Sequence, residues 1–404
     1  MDVIQRYKLL LALLSIGFIG NLIVVYYLIK GFSYGQIGIA TSLGVLGAFL
    51  FEVPTGIVGD RVSRKLSVLV GFSIHALSTV VLILLSNFPM LLLYSLLAAL
   101  GAAFVSGSLQ AWLFDNLRHL KKEKEYRRIM KDAKSITVPL SAVTLITGAF
   151  LAQFCGFILP LFLSLVVELS AVVLVATIPE YDFQRIDKGY LTHALGSFRE
   201  LVKPRLFWLI SLSIVVSLQT NQFRKFFEPY LGEVLSSYLG TTLIGTLSLL
   251  GVVEVTVRTL PRLVGVRLPD SWSLRLYLLA PLVLPILTVL SAIYTNPIWL
   301  VLLGITLTVI STAFGFNISV ELQHRIPSEA RATILSLDRM VAAVIMASFY
   351  ALYGFAVDAL GLKEARLVFA LILLGTGVAF KLAESFKLSE HLQLTHLKAE
   401  VGEE

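Results

Sequence analysis

Long apolar runs separated by short polar clusters set the pattern of this chain. Each run is close to the ~20 residues that a helix needs to cross a bilayer core, and twelve spans would leave about 34 residues for each span and its loop. The pattern predicts span 1 over Lys8–Ile29, span 2 over Gln36–Val58, span 3 over Leu66–Leu85 and span 4 from the Ser86–Pro89 turn to Asp115. Spans 5 (Ser135–Phe154) and 6 (Ile158–Ile178) are joined by almost nothing. Pro179–Arg205 is the longest polar connection and the expected boundary between two halves. Span 7 follows over Leu206–Pro229, span 8 over Tyr238–Val257, span 9 over Leu276–Tyr294, span 10 over Ile298–Val320, span 11 over Ala332–Val357 and span 12 over Arg366–Ala383. The expected architecture is an all-α membrane protein of 12 transmembrane helices in two pseudo-symmetric six-helix bundles. The bundles cover residues 1–179 and 206–383, with a cytoplasmic linker over 180–205 and a cytoplasmic tail over 384–404.

Composition supports the membrane class. Of 404 residues, 57% are hydrophobic and 15% charged, against about 25% charged in soluble domains. The net charge of +7 does not indicate nucleic acid, because the cations lie in loops between apolar runs. Leu117–Lys134 alone holds eight Lys or Arg against three acids. Loops after even-numbered spans carry most of the cations, so both termini are expected in the cytoplasm of a multi-pass plasma-membrane protein. The start, MDVIQRYK, has no small-residue cleavage site, so span 1 is expected to be retained. A single cysteine, Cys155, excludes an intrachain disulfide and a thiolate metal cluster. Zinc-ligand spacing, a phosphate-cradling Gly loop and a nucleophile elbow are all missing from the sequence, so no cofactor, metal site or catalytic residue is expected.

One stretch stands apart from the apolar background. Phe51–Lys65, FEVPTGIVGDRVSRK, breaks from an apolar run into Asp60, Arg61, Arg64 and Lys65, with Gly56 and Gly59 allowing close backbone approach. With Gly56, Asp60, Arg61, Arg64 and Lys65 in place, it resembles the signature turn between the second and third spans of the major facilitator superfamily, and the preceding Phe51, Glu52, Pro54 and Thr55 are similar to efflux-like members. Ile326–Leu337, which contains Arg331, resembles the turn that starts the eleventh span in the same family. The resemblance implies alternating access, with Asp60 facing the start of span 11 and Arg64 pairing with Asp115. The second half keeps only scattered Arg262, Gly265 and Arg267 at the equivalent turn. The fourth-span arginine is replaced by Leu97, and the fifth-span Gly-Pro pattern of drug/proton antiporters is not evident around Thr137–Gly148.

The resemblance also places spans 1, 4, 7 and 10 around a central cavity. Asn21, Gln110, Gln219, Asn221, Gln222 and Asn317 are the amides on those spans, each a candidate for cargo contact or for helix-to-helix hydrogen bonding. Charges inside spans are costly and so are functional candidates. Glu52, Glu168 and Asp338 are the carboxylates singled out for proton coupling, with a structural hydrogen-bonding role as the alternative for Glu52 and a buried protonated carboxyl for Glu168. The expected activity is secondary transport of a small molecule by alternating access, as efflux of amphipathic or hydrophobic compounds, with protons as a candidate coupling ion and the chain acting as a monomer. Uptake or exchange of a neutral metabolite, and a non-transporting membrane sensor, are the alternatives.

Overall fold

The computed structural model describes residues 2–181, 204–268, 270–325 and 331–401. Helices over these residues trace the twelve spans in the expected order, and no strand occurs among them. Nine helical stretches among the described residues are long and apolar enough to cross a membrane, so the protein is multi-pass.

Span 1 is discontinuous. A helix over Val3–Ser15 ends in extended backbone at Ile16, a short 3-10 turn follows at Gly20–Leu22, and the helix resumes over Ile23–Ile29. The break is accommodated by span 5, because a Cβ on Gly148 would lie only 1.7 Å from the Phe18 carbonyl oxygen. Span 2 runs unbroken through Pro54 over Tyr34–Arg61, and span 3 covers Arg64–Ile83. Span 4 is divided into Phe88–Val105 and Ser108–His119, with Gly107 at φ 76° turning the chain between them. Spans 5 and 6 are Tyr126–Cys155 and Ile158–Thr177.

In the second half, span 7 runs over Pro204–Leu239 with a kink at Phe226. Span 8 passes through Leu247–Glu254, one π-helical stretch at Val255–Thr259, and Leu260–Val266. Spans 9 to 12 are Asp270–Ile293, Pro297–Arg325, Arg331–Leu360 and Leu362–Val401. Span 7 continues past its expected end at Pro229, and span 8 continues past Val257. Arg258, expected to open a loop, therefore lies inside the bundle at 4% exposure. The reason is tertiary: Glu228 of span 7 supplies a counter-charge 2.5 Å away, which makes burial of the guanidinium tolerable.

Within the first half, span 3 packs on spans 4 and 6, span 4 on span 2, and span 1 on spans 5 and 6. The second half repeats the scheme with spans 9, 10 and 12. The halves meet along two seams, spans 2 with 11 and spans 5 with 8, joined by contact of span 1 with span 7. The end that carries Asp60 is called the signature end below, and the opposite one the far end.

Candidate functional site: signature turn, seam and chamber

At the signature turn, Ser63 caps span 3, its hydroxyl accepting from Leu66 N at 2.9 Å. The same hydroxyl donates to Glu180 Oε2 at 2.6 Å, and Lys65 N donates to Glu180 Oε1 at 2.9 Å. Glu180 therefore fixes the first turn of span 3 to the chain leaving span 6. Arg64 pairs through Nη1 with Asp115 of span 4 and lies 3.8 Å from Asp60. Asn116 completes the turn by donating to the Pro179 carbonyl at 2.8 Å and accepting from Tyr181 N at 3.0 Å. Arg61 is exposed. The side chain of Arg331 lies outside the described residues.

The far-end seam is built differently. At the start of span 2 the four leading amides are all satisfied: Ser33 and Gln36 form a capping box, and Tyr34 N and Gly35 N donate to the Asp358 carboxylate of span 11 at 2.8 and 2.7 Å. The negative carboxylate sits at the positive end of the helix dipole, a favourable placement. Below it the backbones touch. A Cβ on Gly38 would lie 2.4 Å from the Tyr350 carbonyl oxygen, and one on Gly354 2.3 Å from that of Tyr34. The Ser42 hydroxyl then donates across to the Ala347 carbonyl. The partner seam closes with Gln153, whose amide oxygen accepts from Ser248 N at 2.8 Å and Oγ at 2.6 Å, and with Gly251 against Ala149. Toward the signature end of spans 2 and 11 the bridge is an ion pair, Arg339 Nη1 to Glu52 Oε1 at 3.0 Å, with side chains 63% and 44% exposed.

A chamber of about 540 Å³ lies inside the first half, between spans 1, 3, 4 and 6. The interruptions of spans 1 and 4 both border it, at Ile16–Gly20 and Ser106. His75, Thr79, Tyr94, Ser164 and Glu168 give it a polar side within largely apolar walls. Among the described residues the Glu168 carboxylate oxygen Oε2 is buried without a hydrogen-bond partner, and Thr79 and His75 of span 3 lie on the same wall.

A second charged group occupies the other half. Arg258 Nη2 lies 2.5 Å from Glu228 Oε1, and its Nη1 lies 4.0 Å from Glu254 Oε1. All three are under 9% exposed. The π-helical stretch of span 8 contains Arg258, and the kink of span 7 falls two residues before Glu228. Glu254 reaches across the seam, its carboxylate oxygens 3.6 and 3.7 Å from a Cβ built on Gly20 in the break of span 1. Arg366 of span 12 is fully buried nearby, donating through Nε to Ser291 Oγ at 2.9 Å and stacking 4.8 Å over the Tyr230 ring. The i,i+4 spacing of Glu254 and Arg258 inside an apolar run is the sequence signal for this cluster.

The amides selected from the sequence fall in different environments. Gln219 is buried and donates to the carbonyls of Pro281 at 3.1 Å and Leu373 at 3.3 Å, linking span 7 to spans 9 and 12. Asn221 is half-buried, accepting from Tyr350 OH at 3.2 Å and donating to Ser217 O at 2.8 Å. Asn317 is half-buried and donates to Ala313 O, and Gln110 is exposed. The side chains of Asn21 and Gln222 lie outside the described residues. Asp338 is half-buried, with Oδ1 lacking a hydrogen-bond partner among the described residues.

Comparison with known proteins gives a consistent result. The family model described as Major Facilitator Superfamily matches residues 9–350. An uncharacterized MFS-type transporter, YxaM of Bacillus subtilis (strain 168), is 19% identical over 227 residues, 55% of this chain and 56% of that protein. The chain thus spans about half the length of this curated relative. A crystal structure of a mutant of the nucleoside transporter NupG superposes with TM-score 0.78 at 15% identity, covering 94% of this chain and 100% of that one. The crystal structure of a bacterial homolog of the human lysosomal transporter Spinster, inward-facing and unoccupied, gives 0.66 at 15% identity over 94% and 95% of the two chains. With twelve spans in two matched groups of six, a turn after span 2 that holds Asp60, Arg61, Arg64 and Lys65, and a family match over most of its length, the chain belongs to the Major Facilitator Superfamily of transporters.

Proposed function

We propose that the protein is a secondary transporter that moves a small amphipathic molecule across the plasma membrane by alternating access, accepting it from the cytoplasm and exporting it. The observation that carries this reading is the asymmetry of the span 2–span 11 seam. Its far end is locked by backbone contact and by Asp358, whereas its signature end is bridged by an exposed ion pair. The cation-rich loops at the signature end support placing it, with both termini, in the cytoplasm, so the conformer is open inward. The halves correspond to residues 1–179 and 206–383 on either side of the linker, and rocking about the two seams exchanges the open end.

Transport, rather than catalysis, is the role we assign, and a monomer contains both halves of the pathway. Glu168 and Asp338, half-buried and each with one oxygen unpartnered among the described residues, are the proton-coupling candidates that fit best. Glu52, held by Arg339, fits a latch at the signature end. The test is a disulfide across the far end, Ser42→Cys with Ala347→Cys in a Cys155→Ser background, reconstituted in proteoliposomes. Oxidation is expected to stop proton-gradient-dependent loss of an amphipathic dye, and reductant to restore it. Undiminished dye loss while cross-linked would rule out alternating access at this seam, and gradient-independent equilibration of a polar solute would replace export with facilitated uptake.

A further inference from the structure

The chamber of the first half has properties that a packing defect lacks. Its volume of about 540 Å³ lies in the range of small-molecule sites, roughly 300–1,000 Å³. Its exposed lining residues, Leu14, Gly17, Gly20, Ala102 and Ser106, belong to spans 1 and 4, while Phe72 and Thr79 of span 3 are buried. The mouth therefore opens between spans 1 and 4, and the floor is formed by spans 3 and 6. Gly20, also on the lining, faces Glu254 of the opposite half, which puts the mouth beside the seam.

Charge selects the occupant. Glu168 is the one carboxylate on the lining, which contains neither Lys nor Arg. The other titratable groups there are His75 and Tyr94. The Oε2 of Glu168 is buried with no donor among the described residues. A buried carboxylate lacking a cation or donor is costly, and a ligand that brings an N–H cation removes that cost. The walls around it, from Phe72, Leu82 and Leu161 among others, fit an apolar body. The two helix breaks add backbone polar groups at the mouth, where discontinuous helices commonly face ligands.

We infer that this chamber is a binding site for an amphipathic organic monocation, with Glu168 as the counter-ion to a protonated amine and the apolar body held between spans 1, 3, 4 and 6. The inference deepens the transport reading by naming a substrate class and a place for it within one half.

Equilibrium binding to the full chain in lipid nanodiscs tests it without reference to transport, so its failure is distinguishable from failure of the cross-linking experiment above. The probes are naphthylmethylamine, protonated at neutral pH, and its neutral counterpart naphthylmethanol, followed by calorimetry. The wild type is expected to bind the amine about tenfold more tightly than the alcohol, the equivalent of about 1.4 kcal/mol. Glu168→Gln is expected to abolish that preference by weakening the amine alone, and Glu168→Asp to keep it. Ala102→Trp, at an exposed position of the mouth, is expected to weaken both probes about tenfold. Equal affinities in the wild type, a preference that survives Glu168→Gln, undiminished binding in Ala102→Trp, or no binding of either probe overturns the assignment.

Discussion

The two ends of the span 2–span 11 pair are held by opposite means. At the far end the contact is made by what side chains lack: Gly38 and Gly354 let main chain reach main chain, Gly35 leaves room for the side chains of Phe355 and Asp358, and Asp358 caps the amides that begin span 2. At the signature end two long charged side chains, Glu52 and Arg339, bridge the spans while staying exposed. Close backbone packing forms a seal with many small contacts and tolerates little change. An exposed ion pair contributes on the order of 0–1 kcal/mol and separates readily. The difference fits the proposed cycle, in which the far end is the sealed one and the signature end the one that separates.

Three substitutions sharpen or break this comparison, each read by the rate at which a cysteine placed at Ser42, in a Cys155→Ser background, is labelled from the far side. The largest effect is expected from Gly38→Leu. No rearrangement of a flexible neighbour can absorb a Cβ 2.4 Å from a carbonyl oxygen, so overpacking of about 2–3 kcal/mol should force the seam apart and raise labelling more than about tenfold. An unchanged rate would show that the backbone contact is not the seal. Asp358→Asn should have an intermediate effect. It removes a charge from the helix start worth about 1 kcal/mol, giving roughly fivefold faster labelling that shrinks with added salt. Arg339→Gln should do least. The pair is formed in the conformer whose far end is shut, so its loss, about 0.5 kcal/mol, disfavours that conformer, and labelling should quicken by less than about threefold, an effect that should vanish at high salt. An acceleration as large as that of Gly38→Leu would reverse the assignment of seal and latch.

Much of the fold was legible because apolar run length and cation placement are local properties. Spans 2, 3 and 6 fall within a few residues of their expected limits, and the Arg64–Asp115 pair implied by the family resemblance is present. Span ends were misplaced where a charge is buried. Arg258 looked like a loop residue until Glu228, thirty positions earlier in the chain, supplied its partner. Glu180 appeared only as part of a polar linker, although it ties the signature turn to span 6.

The sequence by itself determined that this is a multi-pass helical protein of two six-span halves with a charged turn after the second span, since hydropathy, length and charge act residue by residue. Tertiary structure alone decided which end is closed, which carboxylates share a cation, and that Glu168 and His75 line one chamber. Those outcomes depend on which faces of distant helices meet, and a helix that is apolar nearly all round does not encode its facing in its own periodicity.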